Sequence, residues 1–225
     1  MCFHWAHLTY GAERIVVGCF KKFVVADLLI AALLPPPALT AAAFENASWG
    51  AALFACLAKF LYVYFDFSGY TDMALGTARL FGIELMENFN FPWLRSNLAE
   101  FWRAWHISLS SFAPDYVYFP LLVSSRNTLL ALVATMLAIA AWHGTSPGWL
   151  LWGLHHGVGL ALLARFQRAA PRFAALQRLR TTAGRRLVAT LSTLAFVSVG
   201  YALTWHPDDA ALSLRIYGKL LGLGS

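Results

Sequence analysis

Three histidines stand where an apolar chain has least reason to keep them. His106 lies in "EFWRAWHISLS", residues 100–110, with Trp102, Arg103 and Trp105 beside it. His155 and His156 are adjacent in "LLWGLHHGVGL", residues 150–160. A neutral imidazole can take the proton of a hydroxyl as that oxygen attacks an acyl carbon. Burial in a low dielectric disfavours the imidazolium and so favours the neutral form. Adjacent helical residues point about 100° apart, so at most one of the pair can serve a given site. The plainer reading of the pair is that both bridge helices by hydrogen bonds. For His106 it is an interfacial place within an aromatic belt. His143, beside Gly144, reads as a helix end, and His4, His7 and His206 fall at the terminus or in loops. The chain has no GxSxG elbow for a serine nucleophile and no HExxH for a zinc hydrolase. Cys2, Cys19 and Cys56 form no CxxC and read as inert packing residues.

The elements that must hold these imidazoles are membrane helices. Of 225 residues, 59% are hydrophobic and 12% charged, against about 25% charged in soluble domains. The formal charge of +6 marks cytoplasmic loops rather than nucleic-acid binding in a chain of this kind. The start, "MCFHWAHLTYGAER", has neither a basic region followed by an apolar one nor a cleavage site, so it does not read as a signal peptide. A span takes roughly 20 mainly apolar residues. Candidate spans are Arg14 to Leu34, stopped by Pro35–Pro37, then Ala47 to Phe67 and Arg185 to Trp205. Thr128 to His143 and Trp149 to Phe166 form an antiparallel pair across the breaker-rich turn "GTSPG". Lys21, Lys22 and Asp27 fall inside the first span and must face protein or water, or snorkel. Arg165, Arg168, Arg172, Arg178, Arg180, Arg185 and Arg186 make a loop without acids, which the positive-inside rule places in the cytoplasm. Pro147 and "HPDD", 206–209, are then outside, and His156 lies about 10 Å below the outer end of its helix.

Between Phe67 and Thr128 the chain reads as a re-entrant or interfacial region that could line a cavity. "TDMALGTARLFGI" is apolar but too short to span, and Ser68-Gly69 reads as a break with Asp72 in the first turn beyond it. The spacing predicts one helix from about Asn97 to Ser110, capped by Ser96 or Asn97. Trp102, His106 and Ser110 would form one stripe on it, facing a cavity shared with His156. Phe101, Trp105 and Leu109 would pack elsewhere. The tryptophans, Trp142, Trp149 and Trp152 included, fit either a membrane belt or the wall of a tunnel.

Four stretches, "DFSGYTDMALG", "ENFNFPWL", "EFWRAWHISLS" and "AWHGTSPGWLLWGLHHG", resemble the membrane-bound O-acyltransferases (MBOAT family). The likeness is to the bacterial branch that holds the alginate O-acetyltransferase membrane subunit and the D-alanyl transfer protein of teichoic acids. "VVGCFKKFVVADLL" is similar to the same branch. The likeness runs from about Arg14 to Leu221 and is most specific from Asp66 to Gly157.

The resemblance implies an all-α, polytopic transmembrane bundle with re-entrant or interfacial helices lining a tunnel. Residues 1–225 would be a single membrane-embedded domain, the carboxy-terminal part of the family fold without its amino-terminal helices. The essential histidine of the family precedes the glycine of WGxxHG, here His156, and the histidine of FWRxWHISLS, here His106, is its partner across the tunnel. Trp102, Arg103, Ser110, Asp72 and Trp152 are the further candidates for the tunnel wall. The implied reaction moves a short acyl group, acetyl in the first instance, from acetyl-CoA or another acyl thioester. The acceptor is a hydroxyl of an exported polysaccharide such as alginate, or a carrier protein. It needs no bound cofactor or metal and no nucleic acid. A periplasmic acetyltransferase would be its partner beside the lipid bilayer, and its place would be the bacterial inner (plasma) membrane, in several passes. The chain departs from the family pattern at Ala113-Pro114, at Leu122-Val123 and in a basic loop reduced to Arg126. Two other readings stay open on the sequence: an inactive truncated remnant, and a transporter relaying protons through histidines, which would need acidic partners near His156.

Overall fold

The computed structural model describes residues 5–34, 44, 46–169 and 183–223. Within them the chain is mainly helical, with no strand, and one isolated antiparallel bridge joins Phe89 to Trp105. Helix α1 (Trp5–Cys19) runs on into π-helical turns over Phe20–Ile30 and a 3-10 turn at Ala31–Leu33. Helix α2 (Trp49–Leu80) follows, then the short α3 (Leu98–Ala104) and α4 (Ile107–Ala113). A π-helical turn, Pro114–Tyr118, leads into α5 (Phe119–Ser125). Helices α6 (Thr128–His143), α7 (Pro147–Ala169), α8 (Ala183–Gly200, extended by Tyr201–Thr204) and α9 (Ala210–Leu220) complete the chain. Pro35–Pro37 and Arg172, Arg178 and Arg180 lie outside the described residues.

Helices α1 and α2 meet backbone to backbone. Gly11 faces Gly76 and Gly18 faces Gly69, seven residues apart on each helix and in opposite directions. A Cβ at Gly76 would lie 2.5 Å from the Gly11 carbonyl oxygen, and one at Gly18 would lie 2.6 Å from that of Gly69. Small residues of this kind let helices approach in a membrane, where lipid provides no hydrophobic drive for association. The same seam carries the charges that looked expensive in the sequence. Asp72, 5% exposed, takes Arg14 at 2.5 Å and Lys21 at 2.6 Å, and Arg14 also holds Glu87 at 2.8 Å. Lys22 pairs with Asp66 and, at 3.1 Å, with Asp27.

Two expectations change here. Helix α2 does not stop near Phe67, and Ser68-Gly69 is no break, because Gly69 serves close packing inside a continuous helix of 32 residues. Thr71–Leu80 of "TDMALGTARLFGI" are the carboxy-terminal part of that helix rather than a separate short element. Asp72 is therefore a mid-helix ion-pair residue rather than an acid in a first helical turn.

Helices α6 and α7 form the expected hairpin across Gly144–Ser146. Gly153 and Gly157 press α7 onto α6: added Cβ atoms would lie 2.8 Å from the Met136 carbonyl oxygen and 2.8 Å from Val133 Cα. Helix α8 closes the bundle, and the core between α2, α3, α7 and α8 is aromatic, with Phe60, Tyr64, Phe101, Trp105 and Tyr201 in mutual contact. By length and composition two helices can cross a membrane, Trp49–Leu80 and Gly184–Thr204. Thr128–His143 is apolar but has only 16 residues, and the first stretch is interrupted by its charges. Helix α9, which the hydropathy pattern did not single out, packs Leu212, Ile216 and Leu220 against Ala52 and Cys56 of α2.

Gly76→Leu should weaken the α1–α2 seam by about 1–3 kcal/mol, since backbone and not a flexible side chain must yield. Gly218→Ala, with open space around it, should be neutral or stabilise by up to about 1 kcal/mol. Thermal unfolding in detergent reads both, and equal effects would discount the seam. Asp72→Asn should cost about 2–4 kcal/mol in the same assay, somewhat less than a fully buried pair because Arg14 and Lys21 keep partial exposure.

Candidate active site

His156 is 1% exposed and sits in a chamber of rings. Trp152 lies one turn away at 4.7 Å between centroids, Trp102 of α3 meets it edge-on at 5.2 Å, and Phe196 of α8 closes a third side at 5.8 Å. Neither His156 Nδ1 nor Nε2 bonds any described group, and the same holds for Trp102 Nε1 and Trp152 Nε1. A buried, unpaired polar group costs about 1–3 kcal/mol. The geometry that forces it comes from "GLHHG" itself. Gly153 and Gly157 bring α7 against α6, which turns the intervening His156 toward the bundle interior. Gly200 completes the space, since a Cβ there would come within 3.2 Å of His156 Nε2.

His155 has the opposite circumstances. Its Nδ1 lies 2.8 Å from the Tyr217 hydroxyl, its Nε2 lies 3.0 Å from the Phe196 carbonyl oxygen, and its ring stacks on Phe196 at 4.0 Å. Both nitrogens are committed to joining α7 with α8 and α9. The pair therefore divides: His155 bridges helices, and His156 is left with free nitrogens.

The helix expected from Asn97 to Ser110 is broken in two. Asn97 caps α3 as the sequence suggested, accepting from Glu100 N at 2.9 Å, while the Glu100 carboxylate accepts from Ser96 N and Ser96 Oγ at 3.2 and 3.0 Å. At Trp105 the chain becomes extended, and His106 turns left-handed, with φ 44° and ψ 58°. No glycine or proline dictates this break. "ENFNF" does: Asn90 N donates to the Ala104 carbonyl oxygen at 3.0 Å and Ile107 N donates to that of Asn88 at 2.9 Å. The Asn88 side chain also accepts from Ser108 N and Ser108 Oγ at 3.1 and 2.7 Å. Non-local pairing thus outcompetes one helical turn, at the cost of a non-glycine residue in αL. Asn88 and Asn90 are positioning residues that helix periodicity had no means to find.

The break dissolves the stripe Trp102–His106–Ser110. Trp102 faces His156, whereas the half-buried His106 ring packs on Phe67 at 4.7 Å and on Trp142 at 6.1 Å, with Nδ1 3.3 Å from Ser108 Oγ. Burial holds the His106 imidazole below its ordinary pKa. Between the two histidines runs a chain of rings, from Trp142 to His143 at 4.9 Å and from His143 to Trp152 at 5.8 Å. His143, read as a helix end, also stacks on Trp149 at 4.9 Å. Phe101 and Trp105 pack into protein, stacked at 5.6 Å.

A cavity of about 540 Å³ opens on the far side of Trp102. Arg103, Ser110, Pro114, Thr135, Met136 and Ile139 help line it, and neither His106 nor His156 does. A second cavity of about 380 Å³ shares Ala99, Tyr118, Leu132 and Leu160 with it and extends to Gln167 and Arg168. Of the expected wall residues, Trp102, Arg103 and Ser110 thus border the cavity, and Trp152 borders His156. Asp72 borders neither. It lies in a separate cleft of about 270 Å³ with Arg14, Lys21, Ser68 and Glu87. The signals missed by the sequence reading are Phe196 and Gly200, which come from α8, more than 30 residues away in the chain.

The arrangement, one sealed imidazole with free nitrogens beside an apolar cavity, suits proton abstraction from a hydroxyl. Comparison with known proteins gives it a family. The sequence model of MBOAT, the membrane-bound O-acyltransferase family, matches residues 3–184. The probable alginate O-acetylase AlgI of Pseudomonas aeruginosa is 40% identical over 225 residues, covering 97% of this chain and 41% of that protein. The peptidoglycan O-acetyltransferase of Helicobacter pylori is 29% identical, with 98% of this chain and 40% of the relative covered. The teichoic acid D-alanyltransferase of Bacillus subtilis is 29% identical, with 88% and 51% covered. The chain therefore spans about two fifths to one half of the length of these relatives. It is a membrane-bound protein, and it belongs to the membrane-bound O-acyltransferase family.

Proposed function

We propose that this chain carries the acyl-transfer site of a membrane O-acyltransferase in a bacterial inner membrane, which it crosses several times. The donor is acetyl-CoA or another short-chain acyl thioester. The acceptor is a hydroxyl of an exported polysaccharide or of a carrier, in keeping with the names of the relatives. The observation that carries the reading is the contrast within one dipeptide. His155 is bound at both nitrogens, while His156 is buried with both nitrogens free.

His156 acts as the general base. It takes the acceptor's proton as the oxygen attacks the thioester carbonyl, and the thiolate leaves as the acyl–oxygen bond forms. The proton on His156 is then available to the departing sulfur, so no covalent enzyme intermediate is required. A positioned imidazole of this kind contributes roughly 10²–10⁴-fold. His106 sits three rings away and positions rather than transfers protons: it fixes the α3–α4 turn and, through Trp142 and His143, the stack behind Trp152. Donor approach from the cytoplasmic face and acceptor approach from outside follow from the basic loop. A periplasmic acetyltransferase working on the same polymer is the fitting partner.

In a version of the protein with measurable transfer, His156→Ala should abolish acyl transfer while insertion and accumulation stay normal. His155→Ala should retain transfer at a reduced level and lose about 1–3 kcal/mol of stability, because Tyr217 and the Phe196 carbonyl lose their partner. Transfer that survives His156→Ala and vanishes with a stably folded His155→Ala would reverse the assignment. Orientation has its own check. A cysteine placed at Arg178 should be blocked by impermeant thiol reagents only from the cytoplasmic side, and one at Asp208 only from outside. Labelling of position 178 in intact cells would invert the topology.

A further inference from the structure

His156 is sealed, yet the chemistry assigned to it needs a reacting group within about 3 Å of a ring nitrogen. Some part of the chamber must move. Two of its three walls are braced from behind. Trp152 is backed by His143 and Trp149 at 5.8 and 5.7 Å. Phe196 stacks on His155, and His155 is tied by two hydrogen bonds. Trp102 differs. Its ring meets His156 edge to face and touches Phe101 and Trp152 at 5.7 and 5.8 Å, yet of the three walls it is the one that also borders the cavity of about 540 Å³. Its Nε1 bonds no described group, so turning the indole breaks no hydrogen bond. It sits on the seven-residue α3, followed at once by the extended Trp105 and the left-handed His106.

We infer that Trp102 is the gate between the apolar cavity and His156. Closed, its indole completes the chamber. Open, the indole turns between staggered side-chain wells into the cavity, which then runs continuously to His156. The lining beyond it, Leu132, Met136, Ile139 and Leu160 with Arg103 at the rim, suits the acyl end of a donor better than a sugar. The gate therefore meters the arrival of the acyl group beside His156. The role assigned to the gate rests on His156 being the base, whereas the motion itself can be measured without any transfer.

The test is carbethoxylation by diethyl pyrocarbonate of the chain in lipid vesicles. Peptide fragmentation separates His156 from His155. In the wild type, His156 should react slowly, at a rate set by the open fraction. If the open state holds about 0.1–10% of the population, Trp102→Ala should speed His156 by about 10- to 1000-fold. Trp102→Phe, which keeps a ring in the core, should give a smaller rise in the same direction. Ala113→Phe, which fills the cavity on the far side, should slow His156 below the wild type. The rate at His155 should stay unchanged in all of them, because a merely loosened bundle would expose both histidines. Wild-type rates in both Trp102 variants, a parallel rise at His155, or an unslowed Ala113→Phe would each overturn the gate. If His156 responds as expected but transfer survives His156→Ala, the proposed function fails and the gate stands.

Discussion

A fully buried imidazole with no hydrogen-bond partner among the described residues opposes folding, and the surrounding bundle has to impose it. The means is the close approach of α7 to α6 at Gly153 and Gly157, where added Cβ atoms would strike the backbone of Met136 and Val133. That contact sets the rotation of α7. His156 then points inward, His155 points toward Tyr217 and Phe196, and Trp152 lies over His156. A GxxxG spacing usually serves helix association alone. Here the same four-residue step also decides which of two neighbouring histidines keeps free nitrogens.

The second half of the site depends on a different constraint. Helix α3 presents Trp102 to His156, and the chain then leaves the helix at Trp105. Asn88 and Asn90 hold that exit with backbone and side-chain hydrogen bonds. The break redirects Ser110 toward the cavity and leaves His106 against Phe67 and Trp142. "ENFNF" and "RAWHIS" are thus one structural unit, although more than ten residues separate them in the chain. The ion cluster of Arg14, Lys21, Asp72 and Glu87 anchors the start of the same loop to α1 and α2. Charges that would be costly in lipid become, when paired, the fastening of the loop that carries "ENFNF".

Ala113-Pro114, where the resemblance implied other residues, occupies the cavity wall. Pro114 opens a π-helical turn to Tyr118, and Ala113, Pro114 and Tyr118 all border the space behind Trp102. The departure falls on the shape of the cavity and leaves the contacts of His156 untouched.

Composition, the long apolar runs and the motif set were enough to read a helical membrane protein of this family, the α6–α7 hairpin and the Asn97 cap. Each is local: hydropathy over 20 residues, a breaker-rich turn, or a side chain reaching its own helix start. The 100° between neighbours on a helix also required that His155 and His156 have different surroundings. What the sequence left undecided was everything set by contacts across the chain. Nothing local told α2 to continue through Ser68-Gly69, since only Gly18 across the seam gives Gly69 its purpose. Helical spacing placed His106 beside Trp102, and the Asn88 pairing removed it. Asp72 looked like a first-turn acid beyond a break and became the centre of an ion cluster. Which histidine is tied and which is free was settled by Tyr217, Phe196 and Gly200, on helices that only the folded bundle brings to the site.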